Sequence, residues 1–312
     1  MAYSCEDSLR GACWANEVSR AALMGGQPPN RVWFVDSASG SDKNSGKGRT
    51  DKAFATINKL DEVLEAYDWV YLRGSFDEAY TCSLAGVRFI GDGHAQKECV
   101  WTAPTVAGSW CLKMAANYQR VENIYFNPVV YTTSGTPASI LLSGANHAQI
   151  IGNRFQGKTG SYAAIYSPVC NSDNVVIADN LFMYMNTATY GAGILGVEAG
   201  GLSYSGWQIL RNYFNSCVTD IDINGRACLL KGNIHPIGGI NASDALAAVT
   251  ALAIDLSGTS SGGNTVTGCS LGGAYTSTLY KGGASQDNWA GNYAAITSTY
   301  CPNGITVPTK PA

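Results

Sequence analysis

A short frame recurs through the middle of the chain and restricts the fold more than any other feature. An aliphatic residue is followed three positions later by Asn, and two positions after that by an aromatic. The frame occurs at Ile150, Asn153 and Phe155, at Ile177, Asn180 and Phe182, and at Ile209, Asn212 and Phe214. Leu230, Asn233 and His235 form a weaker copy; Asn123 with Tyr125, and Val266, Cys269 and Leu271, form degenerate ones. The Asn positions 123, 153, 180, 212 and 233 lie 30, 27, 32 and 21 residues apart. Between copies lie short β-like runs, among them Ala164-Ile165-Tyr166, Ile221-Asp222-Ile223 and Ala253-Ile254-Asp255-Leu256. Such a period suits a parallel β-solenoid, in which each copy is one coil. Inward aliphatic and aromatic side chains then stack on their equivalents one coil away, at ~4.8 Å. Asn at a tight corner is expected to take the left-handed conformation and bond its amide to the next coil's Asn. A β-sandwich with coincidental Asn-x-Phe turns competes, but sandwich strands alternate without a fixed Asn.

Regular structure is expected to begin at Arg31-Val32-Trp33-Phe34-Val35-Asp36. A polar loop follows over residues 37–50, then a helix over 56–66 from the spacing of Ile57, Leu60, Val63 and Leu64, with Thr56 as N-cap. Trp69-Val70-Tyr71-Leu72 and Val87-Arg88-Phe89-Ile90 read as strands ended by glycine. Residues 1–30 form a lead without a core of its own, 31–270 the solenoid, and 271–312 a C-terminal extension.

These opening segments together resemble the start of right-handed parallel β-helix proteins of the pectate-lyase-like class. The resemblance covers about residues 31–270. It implies an all-β, right-handed parallel β-helix of about eight coils, closed at one end by a short N-terminal capping helix. Its motifs speak to fold more than to function, because this scaffold carries lyases, hydrolases, adhesins and phage proteins. The opening Met-Ala-Tyr-Ser, the lead of thirty residues and the Val35-Asp36 entry are similar to β-helix proteins of tailed-bacteriophage virions. That narrower resemblance implies a homotrimeric capsid-decorating, cement or spike protein, assembled in a host cytoplasm and located in the virion. A major capsid protein or other virion protein would be its partner. Trp14, Val18 and Leu23 would be the anchor, and a cell-surface glycan a further partner.

Composition narrows the classes. Charged residues are 14% of the 312, against ~25% in an ordinary globular chain, and hydrophobic residues are 46%. That excludes intrinsic disorder. A net charge of −3 without basic runs argues against nucleic acid. No apolar run reaches the ~18 residues of a membrane span, and the opening residues show no basic and apolar regions of a secretory signal. Ten cysteines without a CxxC read as reduced core thiols, with a disulfide-stapled surface as the alternative.

Chemistry is sparse at this level. Asp220, Asp222 and Asn224, with Arg226 just beyond, alternate along one stretch and are expected on one outer face, with Ile221 and Ile223 inward. Paired carboxylates with an arginine suit glycoside hydrolysis or calcium-assisted lyase chemistry; a solvated strand face is the plainer reading. An EF-hand is rejected, because Lys231 stands where the bidentate Glu belongs. The polygalacturonase-like patterns Asn-Thr-Asp, Gly-His-Gly and Arg-Ile-Lys are absent. His94, His147 and His235 read as turn or corner residues, and Asp36, Asp42, Asn44 and Asp51 as loop-turn formers rather than metal ligands. The sequence therefore leads to a structural protein that is no enzyme and has no cofactor or metal. A polysaccharide lyase or hydrolase using Asp220, Asp222 and Arg226, or a glycan-binding fibre, is the alternative. Asn153, Asn180, Asn212, Phe155, Phe182 and Phe214 are assigned to a structural ladder.

Overall fold

The computed structural model describes residues 29–48, 50–92, 99–102, 110–127, 138–157, 162–185, 191–197, 201–215, 217–235, 239–240, 246–247, 252–271, 280–281 and 287–294. The expected anchor residues Trp14, Val18 and Leu23 lie outside the described residues, as do His94 and most of the segment after 271.

Each coil passes through three faces. Gln149–Ile151 lies on the first, Arg154–Gln156 on the second and Ala163–Ser167 on the third. Val176–Ala178, Leu181–Met183 and Ala192–Gly196 repeat the path one coil on. Strands on all three faces pair in parallel with their equivalents, and the third face is an eight-stranded sheet. Like therefore stacks on like. Ile150 lies beside Ile177 and Ile177 beside Ile209 on the first face. Ile165, Ile194, Ile221 and Ile254 form the matching column of the third. These residues are fully buried in one continuous core.

The second face contributes an aromatic column. Phe126, Phe155, Phe182 and Phe214 stack with centroids 5.1, 4.9 and 4.7 Å apart and rings within 9° of parallel. The rung spacing imposes this stacking, since each ring leaves an equivalent backbone position one coil from the last. His235 continues the column, 5.0 Å from Phe214 and 2° from parallel to it.

Asn153, Asn180, Asn212 and Asn233 line the corner between first and second faces. The Asn153 N–H donates to Asn180 Oδ1, that of Asn180 to Asn212 Oδ1, and that of Asn212 to Asn233 Oδ1, at 2.9, 3.0 and 3.0 Å. Their Nδ2 groups donate to Oδ1 of the next Asn and to backbone carbonyls, such as Asn180 to Ile150 O at 2.8 Å. The left-handed residue is not the Asn, as expected, but its predecessor: Gly152, Asp179, Arg211 and Gly232 have φ of 66°, 58°, 52° and 65°. That turn swings the following amide inward, where it is buried and can cross-link coils. Asn123 belongs to the left-handed column (φ 57°), so its copy of the frame is offset by one residue: Ile124 N–H donates to Asn153 Oδ1.

Phe54, Ile57 and Leu60, all buried, join the core at the N-terminal end beside Trp33. The expected helix over 56–66 is instead a five-residue 3-10 helix, Asn58–Glu62. Two interactions account for its start. Thr56 does not cap it: the N-cap position falls on Ile57, and the Thr56 hydroxyl donates to Asp42 Oδ2. Glu78 reaches in from the next segment and accepts the N–H groups of Ile57 and Asn58 at 3.0 and 2.9 Å. Tyr67 then takes φ 65° and turns the chain into Trp69–Phe76.

Candidate active site

The third face carries the chemistry. Its strands do not alternate strictly: in Ala163–Ser167 both Ala164 and Ile165 join the interior core, while Ala163 and Tyr166 belong to a separate cluster on the outside. The same bend recurs in Thr219–Ile223 and moves Asp220 inward together with Ile221. Asp220 and Asp222 therefore do not share a face, contrary to the sequence expectation.

Asp220 is buried at 2% exposure, and its Oδ2 lies 2.8 Å from His235 Nδ1. Burial pushes its carboxyl pKa up; hydrogen bonds from His235 and Cys217 offset this only in part. The Cys217 thiol is driven well above its ordinary value, chiefly by burial and then by Asp220. A polysaccharide has no path to this interior group, so Asp220 is removed from the catalytic candidates. Asn224 is also buried, its Nδ2 donating to Leu202 O at 2.7 Å. Arg226 lies past the strand, exposed on the turn toward the first face.

Asp222 does face outward. Its neighbours in register are Leu195 on one side and Asp255 on the other. The row runs Lys113, Leu141, Tyr166, Leu195, Asp222, Asp255 and Lys281. Tyr166 and Leu195 are buried although they face away from the core, whereas Asp222 and Asp255 are half-buried. The row thus passes from a covered apolar floor to two accessible carboxylates. Tyr162 meets Tyr166 edge-on, with centroids 5.1 Å apart. Asp255 Oδ1 accepts the N–H and hydroxyl of Ser257, which orient it. Two carboxylates one rung apart, at ~4.8 Å between strands, approach the ~5–5.5 Å separation used in double-displacement glycoside hydrolysis. Asp255 was not singled out from the sequence. The available signal was the equivalence of Ile221-Asp222-Ile223 and Ile254-Asp255-Leu256.

The loop carboxylates have other work. Asp36 Oδ1 accepts the N–H groups of Ala38 and Ser39, and Asp42 Oδ1 those of Ala55 and Thr56. His147 stacks on Tyr118 at 4.9 Å. Among the described residues no three His, Cys, Asp or Glu side chains gather as a metal site.

No family model matches the chain, and no curated protein matches it. Solved structures do. A GH136 lacto-N-biosidase from Eubacterium ramulus superposes with a TM-score of 0.61 at 13% identity, over 89% of this chain and 58% of that one. A rhamnogalacturonan lyase gives 0.52 at 14% identity, over 86% and 64%. An alginate lyase from Paenibacillus sp. str. FPU-7 gives 0.51 at 14% identity, over 85% and 97%. The shared fold is the right-handed parallel β-helix. This chain spans less than two thirds of the lacto-N-biosidase's length. These neighbours overturn the expectation that the chain is no enzyme: they are a biosidase and two lyases. The absent motifs on which that expectation rested belong to polygalacturonase-like members, and one scaffold supports many chemistries.

Proposed function

We propose that this chain is a polysaccharide-degrading enzyme, a glycoside hydrolase working on the outer surface of the third face. The observation that carries the reading is the in-register pair Asp222 and Asp255, half-exposed on the same row as Tyr166. Oxocarbenium-like transition states need one carboxyl to protonate the leaving oxygen and a second to attack or to stabilise the sugar. Asp255, oriented by Ser257, takes the nucleophile's role; Asp222 takes the acid's. The half-buried Tyr162, edge-on to the buried Tyr166, offers a ring suited to the apolar face of a sugar. The enzymes that share the fold, named for lacto-N-biosidase, rhamnogalacturonan lyase and alginate lyase activity, support a glycan as substrate.

The test is to incubate the protein with a panel of neutral and acidic polysaccharides, following new reducing ends and unsaturated products separately. Hydrolysis without unsaturated product is expected. D222N and D255N should each lower kcat/KM by roughly 10²–10⁴-fold. Activity untouched by either substitution would remove the pair from the mechanism.

A further inference from the structure

A second cleft lies on the turns that lead from the third face to the first. It has a volume of about 860 Å³, within the ~300–1,000 Å³ of small-molecule sites. Ser203, Ser205, Arg226, Thr259, Ser260 and Ser261 line it. Three successive coils build it in register: Ser205 pairs with Arg226, and Arg226 bridges to Gly262.

Its floor is rigid. Tyr204 and Trp207 are fully buried, with the Tyr204 hydroxyl donating to Ser167 O and Trp207 Nε1 to Ser172 O, both at 2.6 Å. Asn264 Nδ2 donates to Gly225 O and to Asp287 Oδ1, tying this turn to the next coil. Gly201 and Gly263, in left-handed conformation, have open space where a Cβ would project, so the walls stand clear of the cleft.

Three of the polar side chains that line the cleft, Arg226, Ser203 and Ser205, are unspent among the described residues. Arg226 is exposed and makes no ion pair among the described residues. One rung beyond, Asp173 Oδ1 accepts the Ser205 N–H. The hydroxyls of Ser203 and Ser205 make no hydrogen bond among the described residues. The Ser260 hydroxyl donates to Gly201 O, which leaves its oxygen as an acceptor; Ser261 is buried, donating to Gly225 O and accepting from Asn264 Nδ2 at 3.1 Å, and is spent on the fold. A guanidinium is a planar fork of donors that matches a carboxylate bidentately. Surrounding hydroxyls match sugar hydroxyls. A lone cation among hydroxyls is a poor site for a polyphosphate or a nucleic-acid backbone, which gather several.

We infer that this cleft is a binding site for an anionic sugar residue, with the Arg226 guanidinium on its carboxylate and the serine hydroxyls on its ring. The inference takes the ligand's glycan class from the proposed function, but its location and its charge come from the cleft itself. It is separate from the Asp222 and Asp255 row and acts as an accessory hold on an acidic polysaccharide.

Calorimetric titration tests it, with a galacturonate oligomer, a cello-oligosaccharide of equal length and inorganic sulfate as probes. The galacturonate oligomer is expected to bind the full chain and the cello-oligosaccharide to bind at least tenfold more weakly. R226Q should weaken galacturonate binding roughly tenfold or more, and R226K should restore it only in part. An unchanged melting temperature of R226Q shows that the loss is local. Equal binding of the acidic and neutral oligomers, galacturonate binding unaffected by R226Q, or binding of sulfate alone would each overturn the site. D222N with D255N should retain this binding. If Arg226-dependent binding persists while no polysaccharide is cleaved, the proposed function fails and the cleft stands. If cleavage is found but Arg226 is irrelevant to binding, the reverse holds.

Discussion

Asp220 places a carboxylate among Phe214, His235 and Cys217 inside the solenoid, and the folded chain holds its proton more tightly than the unfolded chain does. The sign follows from linkage. A raised pKa contributes stability that is complete below the unfolded value of ~3.9 and is lost as pH rises through the folded value. D220N preserves an acceptor for His235 Nδ1 and removes the titration. Its stability should fall less than the parent's as pH rises above ~4, measured as urea midpoints across the acid to neutral range. Parallel curves for the two proteins would mean that Asp220 ionises in the fold as freely as outside it. The same residue shows where the sequence stops being readable. Strand alternation places Asp220 beside Asp222 on one face, and only the recurrent bend that turns two consecutive residues inward separates them. Nothing in the local composition marks that bend: Ala164, Gly193 and Ala253 stand at the matching position in other coils.

At the scale of the element, the repeat was legible because every coil meets the same two demands. A buried corner needs an amide that satisfies backbone groups in two coils, and the interior needs an aliphatic or aromatic at each rung. The functional row was not legible, because it depends on register between coils of unequal length. Asp222 and Asp255 are 33 residues apart, whereas Asn153 and Asn180 are 27 apart. The ladder also contains one weak rung. Cys269 occupies the column between Asn233 and Asn292: its N–H donates to Asn292 Oδ1 at 3.0 Å, and Asn233 Nδ2 approaches its sulfur at 3.9 Å. The thiol faces Leu230 O at 3.8 Å, where Asn233 and Asn292 each donate an amide N–H to the equivalent carbonyl. C269N should replace these weak contacts with amide hydrogen bonds and stabilise the fold by about 1 kcal/mol, the net worth of an added hydrogen bond. Chemical denaturation decides it. A destabilised C269N would show that the rung lacks room for the larger amide.

A solenoid passes its stability between neighbours, so the whole molecule should open from an end rather than all at once. Its thiols report this. Seven described cysteines are unpaired, and six of them are buried at positions spread from Cys82 to Cys269. Burial raises their pKa values, to about 11 for Cys82 and about 12 for Cys228, and well above the ordinary range for Cys111 and Cys217. Thiolate is the reactive form, so these six should resist alkylation in the native protein. The two directions from the centre are not equivalent. Toward the N-terminus, Phe54, Ile57, Leu60 and Trp33 pack onto the core, and Glu78 holds the segment by two backbone N–H groups. Toward the C-terminus the second-face pairing falls to the single register pair of Tyr213 with Ile234, below the two pairs that Tyr125–Phe126 makes on each side, and the aromatic column has ended at His235. Fewer pairings per rung leave less to hold each coil. In urea below the main transition, pulsed alkylation read by mass spectrometry should modify Cys269 first. Cys228 and Cys217 should follow, and Cys82, Cys99 and Cys111 should come last. One common rate for all six would mean that the coils unfold as a single unit. Early modification of Cys82 would mean that the N-terminal plug is the weaker end.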